Sequence, residues 1–228
     1  MVALAFVLLS WLPFEAGAGD VFTGFQIDNK KEYFAYLGIR TPLSAQESAF
    51  LPFVQVFAAG LGYSFTVEGQ VRDASAQFTT PALGLKYTSG AWSLVGLAGP
   101  QFRWKQEDNG RGGRDTREDI GAFVQGETFY WHDQGNVHAI FSYTALDRFY
   151  WGRIRGKVLT CRPENGGYAA YLGWDATGMG NKDFHAELTG PLAELQVGRF
   201  FFLVRGGYQY TATFRSGTYS GFEIYFPF

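Results

Sequence analysis

Apolar residues recur at every second position along much of this chain. In 92–105 the even positions are Trp92, Leu94, Gly96, Ala98, Pro100, Phe102 and Trp104, whereas the odd ones include Ser93, Gly99, Gln101, Arg103 and Lys105. Successive side chains of an extended strand point to opposite faces, so one face is apolar with aromatic ends and the other turns polar. Phe200, Phe202, Val204, Gly206, Tyr208 and Tyr210 alternate in the same way with Arg199, Arg205, Gly207 and Gln209. Ile120, Ala122 and Val124 alternate with Gly121, Gln125 and Glu127, and Tyr150, Ile154 and Val158 with Arg153, Arg155 and Lys157. No stretch of comparable length carries a helical period.

The alternation predicts twelve strands, at 21–28, 33–41, 53–69, 77–87, 92–106, 118–131, 137–144, 148–158, 167–177, 183–192, 195–211 and 218–228. Reading 137–158 as one long strand gives ten as the alternative. A strand needs ~9–11 residues to cross a bilayer, and a helix ~20 apolar ones, a length that no run in the chain reaches. In lipid only helices and closed sheets satisfy their backbone groups. The expected fold is therefore all-β: an antiparallel transmembrane β-barrel with an apolar outer surface and a polar lumen. Counted from a periplasmic N-terminus, every second connection should be a short turn. The segments 88–90 and 132–136 and the pair Gly190-Pro191 fall in those places. The charged segment 107–119, with Gly110, Gly112 and Gly113, falls on the outside.

Composition fits that picture. Aromatic residues make up 18% of the chain and Gly reaches 30, yet the mean hydropathy is only -0.09, as suits a sheet with one greasy and one wet face. A formal charge of -2 gives no footing for nucleic acid. One cysteine, Cys161, excludes an intramolecular disulfide and is too isolated to build a metal site. Residues 2–14 are apolar and lead into Ala16-Gly17-Ala18, a small-residue cleavage pattern, so 1–18 reads as an export signal although no Lys or Arg precedes the run. Residues 19–228 are then a single barrel domain. At the other end Phe222, Ile224, Phe226 and Phe228 alternate down to a terminal aromatic. This resembles the sorting signal by which outer-membrane proteins engage the barrel assembly machinery. Outer-membrane lipid is the expected environment, in a Gram-negative bacterium, and a monomer is the expected state.

Candidate chemistry is concentrated in the lumen. Alternation puts Arg40, Lys86, Arg103, Lys105, Arg153, Arg155, Lys157, Arg199 and Arg205 inside, with Glu68, Glu127, Asp175, Glu187 and Glu223 as acids. Three cations on one strand face, Arg153, Arg155 and Lys157, repel one another unless acids or a ligand compensate. Two readings follow: an ion-pair network that fills the barrel, or a basic track for an anionic or polyhydroxylated solute. Inner-face changes such as Gly207→Ser are expected to be mild. Of the histidines, His132 falls in a turn, while His138 and His185 fall on lumen faces, His185 beside Glu187. No serine lies in a hydrolase motif and no His, Asp or Glu cluster has metal-ligand spacing, so neither a catalytic site nor a metal or other cofactor is expected. Trp92, Trp104 and Trp174 suit an interfacial girdle. Trp131 and Trp151 fall on the lumen face and are the better carbohydrate candidates.

Several stretches together resemble the cellulose biosynthesis protein BcsS family of outer-membrane proteins. They are Tyr33-Phe34-Ala35-Tyr36-Leu37-Gly38, the hairpin Ala145-Leu146-Asp147-Arg148-Phe149-Tyr150-Trp151-Gly152-Arg153, Gly180-Asn181-Lys182-Asp183-Phe184 and Gly217-Thr218-Tyr219-Ser220-Gly221. The resemblance implies an accessory role in producing or secreting cellulose or a related exopolysaccharide, with cellulose secretion components or the polysaccharide as partners, and carries over no catalytic residues. A substrate-selective channel for small or acidic oligosaccharides is the alternative from another class.

Overall fold

The computed structural model describes residues 19–44, 48–67, 69–110, 112–164, 166–211 and 216–228; the candidate export signal and Glu68 lie outside them. The described residues form β1 (Asp20–Asp28), β2 (Tyr33–Pro42), β3 (Phe50–Val67), β4 (Gln70–Ser89), β5 (Trp92–Asp108), β6 (Arg114–His132), β7 (Gly135–Thr144), β8 (Phe149–Cys161), β9 (Tyr168–Gly180), β10 (His185–Val197), β11 (Phe200–Thr211) and β12 (Gly217–Pro227). Each strand pairs antiparallel with its sequence neighbours, and β1 pairs with β12, so the sheet closes and leaves no edge. Residues 145–148, with one 3₁₀ turn at Leu146–Arg148, separate β7 from β8. The ten-strand alternative is thereby excluded.

Beyond the last strand the two ends are tied together. Gly19 N donates to Phe228 O at 2.9 Å and Phe228 N to Gly19 O at 2.8 Å. Gly19 and Phe228 therefore lie at one end of the barrel, here the terminal end; the opposite end is the distal one. Four strands are far longer than a crossing needs: β3 to β6 hold 18, 20, 17 and 19 residues against ~9–11. The hairpins β3–β4 and β5–β6 therefore project from the distal end. Alternation predicted β4 only from 77 and a long loop over 107–119. It failed there because both faces of a projecting strand meet water, so the outer face no longer needs to be apolar.

One connection differs from expectation. Gly190 and Pro191 are not a turn but lie within β10, opposite Asp175 and Trp174. The turn comes at Gly198-Arg199, where Gly198 takes φ +58, a left-handed value that Gly adopts without steric cost. Pro191 is accommodated because the β10–β11 pairing is interrupted between Thr189 and Leu192. Beside that break the backbones approach closely. A Cβ on Gly207 would collide with the Thr189 carbonyl oxygen and one on Gly190 with that of Gly206. Gly207→Ser is therefore not the mild change expected from its face alone.

The outward face carries exposed Leu83, Leu94, Val124, Phe141, Ile154, Leu172, Val204 and Phe222 around the whole ring. A continuous apolar exterior of this extent would aggregate in water and is the stable side against lipid. Trp92 and Trp174 stand on it, 52% and 56% exposed. The inward face is partly a miniature core rather than uniformly polar. Phe53, Ala82, Val95 and Leu97 pack together with Phe123, and Ala186, Leu188 and Tyr219 pack with Met179 and Phe184.

Candidate functional site

Mid-barrel, the inward positions of β8, β9, β11 and β12 bring five charges together. Arg153 donates to Glu223 at 2.9 Å, and Arg155 reaches both Glu223 and Asp175 at 3.0 Å. Arg205 bonds Asp175 at 2.9 Å, approaches Glu223 at 3.3 Å and donates to Gln26 of β1 at 2.9 Å. Three guanidiniums thus share two carboxylates, and the row on β8 is compensated by acids from other strands. The Asp175 side chain has no exposed surface, and those of Arg153, Arg155, Arg205 and Glu223 are 6–12% exposed.

Two further tiers lie toward the terminal end. Arg40 of β2 pairs with Glu127 of β6 at 2.6 Å and donates to Gln55 at 2.8 Å, with its guanidinium 4.7 Å from the Phe53 ring centroid. Gln125 donates to the same carboxylate at 2.8 Å, and His138 Nε2 stands 3.8 Å from it. Lys157 of β8 pairs with Glu194 of β10, its ammonium 5.3 Å from the Tyr171 ring centroid. The bonds from β8 to β12 and from β2 to β6 join strands four places apart in the ring. They are chords across the interior, not contacts along its wall. A water-filled pore wets the charges that line it, yet here Asp175 and Thr80, an inward residue of β4, are wholly covered. Ion pairs therefore span the middle of the barrel.

At the distal mouth the connection 145–148 folds inward. Arg103 of β5 bonds Asp119 of β6 at 2.7 Å and also pairs with Asp147. A Cβ on Gly121 would collide with the Leu146 side chain, so that glycine is what lets the turn tuck in. Asp147 and Arg148 both have positive φ, 55 and 50, a conformation that costs L residues roughly 1–2 kcal/mol each. The ion pair helps offset that strain. Lys105 pairs with Glu107 at 2.6 Å on the projecting part of β5.

The hydrogen bond from Arg103 holds the Asp147 carboxyl below its usual range. A lowered carboxyl pKa stabilises the fold above the unfolded value near 3.9, and that contribution is lost as pH falls through the folded value. We expect thermal stability to decline over that acid window and Asp147→Asn to remove this part of the decline. Because Asp147 is 44% exposed, screening limits the effect to about 1 kcal/mol. Melting curves of both proteins between neutral and strongly acidic pH check it; equal acid sensitivity would count against the clamp.

The inward assignment of Arg40, Lys86, Arg103, Lys105, Glu127, His138, Arg153, Arg155, Lys157, Asp175, Arg205 and Glu223 agrees with the register. Three others move. Arg199 is exposed in the Gly198-Arg199 turn, beyond the end of the lumen wall. His185 and Glu187 pair at 3.0 Å on the outward face near the distal end, with Tyr150 Oη 3.2 Å from His185 Nδ1. Burial fixes the reason: Ala186, Leu188, Leu192 and Glu194 are the covered residues of β10, so its even positions point in. Glu194, the partner of Lys157, is missed by alternation because Gly190-Pro191 suggests a turn and cuts the strand short. Among the described residues no group of three or more His, Cys, Asp or Glu could hold a metal ion.

The family described as cellulose biosynthesis protein BcsS matches residues 21–228. No curated protein matches the chain. Solved structures of similar shape are bacterial barrels. An outer membrane channel from Pseudomonas putida F1 superposes with a TM-score of 0.57 at 11% identity, over 94% of this chain and 97% of that one. The β domain of the Bordetella autotransporter BrkA gives 0.54 at 11%, over 94% and 100%. LpxR from Salmonella typhimurium gives 0.53 at 11%, over 91% and 99%. At such identities the likeness is one of fold, and the fold is that of outer-membrane barrels.

Proposed function

Since the chain belongs to the cellulose biosynthesis protein BcsS family, we propose that it serves cellulose production as a filled accessory barrel in the outer membrane of a Gram-negative bacterium, and that it does not conduct the polymer. One observation carries this reading: the central arginines are joined across the interior to Asp175 and Glu223, and Asp175 has no exposed surface. A growing glucan would have to break those bonds and leave buried charges unpaired, at several kcal/mol per charge. The terminal end faces the periplasm, where short connections are usual, and the two long hairpins face outward.

The test has two arms. Purified barrel in planar bilayers should show negligible conductance, and deleting the chain from the producing cell should lower cellulose output. Steady anion-selective conductance that falls in Arg153→Gln/Arg155→Gln would instead establish the oligosaccharide channel. The surplus of one cation in the central cluster is the feature that channel would use.

Assembly rests on the last strand. Phe222, Ile224 and Phe226 occupy outward positions of β12, Phe226 stacks on Phe200 with ring centroids 4.5 Å apart, and Phe228 ties the seam to Gly19. On this reading the aromatic row is what barrel assembly machinery recognises. Deleting Phe228 should sharply reduce heat-modifiable barrel in outer-membrane fractions; wild-type amounts would argue against the assignment.

A further inference from the structure

Among the described residues, the large hydrophobic side chains exposed on the strands stand on outward positions with two exceptions, Trp131, 46% exposed, and Tyr225, 39% exposed. Both are inward residues, since Trp131 follows the parity of Phe123 and Glu127 on β6 and Tyr225 that of Tyr219 and Glu223 on β12. Each lies near the terminal end of its strand. β6 and β12 are diametrically opposed in the closed ring, so the two rings occupy opposite walls of one mouth. An inward tryptophan cannot serve as a lipid-facing girdle residue.

Trp131 is also held flat. Its ring stacks on Phe129 at 5.4 Å with 8° between planes, and Phe129 stacks on His138 at 4.0 Å with 16°. Below this stack the Arg40–Glu127 and Lys157–Glu194 pairs close the interior. The mouth therefore has an aromatic wall above a layer of ion pairs. Asp20, whose carboxylate accepts from the Tyr225 hydroxyl, Lys86 and Gln196 are inward residues around its rim. Arg162, just past β8, donates to the hydroxyl of inward Tyr171 at 3.2 Å, so hydrogen-bonding groups stand around the aromatic wall, as suits a ligand with many hydroxyls.

We propose that this vestibule binds a β-1,4-linked glucan, with the exposed indole of Trp131 stacking on a pyranose ring and the rim residues bonding its hydroxyls. An aromatic face with a few polar groups around it is the usual composition of a small-molecule site. All-equatorial glucose units give the β-linked chain flat faces of C–H bonds that lie well on such a ring. The α-linked chain coils and presents no such ribbon. The assignment rests on the cellulose reading above.

The experiment is calorimetric titration of the full folded barrel in detergent with cellohexaose and, separately, maltohexaose. Cellohexaose should bind saturably and maltohexaose should not. Trp131→Ala should weaken binding at least about tenfold, or about 1.4 kcal/mol, whereas Trp131→Phe retains most of it and outward Trp92→Ala binds as wild type. Heat modifiability shows that each variant is folded. Equal binding of both sugars, binding of neither, or undiminished binding by Trp131→Ala would overturn the site. If deletion of the chain still lowers cellulose output while cellohexaose fails to bind, the vestibule falls and the accessory role stands.

Discussion

Glu223→Gln should destabilise the barrel by about 3–5 kcal/mol, the cost of breaking a buried ion network by removing one charge. The change keeps shape and volume, so it opens no cavity. It leaves Arg153, Arg155 and Arg205 around Asp175 alone, with Glu223 no longer a charged acceptor at 2.9, 3.0 and 3.3 Å. Those guanidiniums are 6–10% exposed, and that of Arg205 lies 5.8 Å from the Tyr219 ring centroid, so they are held away from water. Thermal loss of the compact band on unheated gels, or urea unfolding in vesicles, measures the effect. Glu187→Gln is the control: it is 65% exposed on the outer surface, and its pair with His185 is worth about 1 kcal/mol at most, in the range of exposed ion pairs. Equal losses for the two variants would mean that the central network contributes nothing beyond a surface pair.

Val204→Arg is the second large effect, at ~2–4 kcal/mol, because an arginine at mid-depth on the outer face must meet hydrocarbon. Val204 is 54% exposed on β11, several residues from either end of the strand. Val197 stands on the same outward face, 44% exposed, as the last residue of β10. There the arginine can reach the headgroups, and Val197→Arg should cost only ~0–1 kcal/mol. Equilibrium unfolding in lipid vesicles compares them. If both cost the same, the apolar exterior is not a membrane belt with depth, and the orientation of the barrel in the bilayer must be rethought.

Much of this architecture is legible in the amino-acid sequence. Strand existence and count follow from alternation, because a strand with lipid on one side and a polar interior on the other cannot vary its two faces independently. The charges of β8 can be placed inside for the same reason, since Tyr150, Ile154 and Val158 leave the other face no alternative. Alternation fails where that two-sided constraint is absent. On the projecting hairpins both faces meet water, so the start of β4 and the tips of β5 and β6 read as loops. On β10, Gly190-Pro191 mimics a turn, which shortens the strand and turns Glu187 inward in place of Glu194.

The sequence by itself therefore determined the closed, all-β architecture, the lipid-facing rows and the family, since each is written in local order along the chain. The tertiary structure alone decided which charge meets which. Glu223 and Arg153 are 70 residues apart and Arg40 and Glu127 are 87 apart, on strands that never pair. Their contact depends on barrel closure and on the stagger between strands, which set the height of each side chain in the interior. The same closure put Trp131 and Tyr225 on opposite walls of one mouth. Periodicity assigns a side chain to a face, but only the closed ring supplies its partner across the interior.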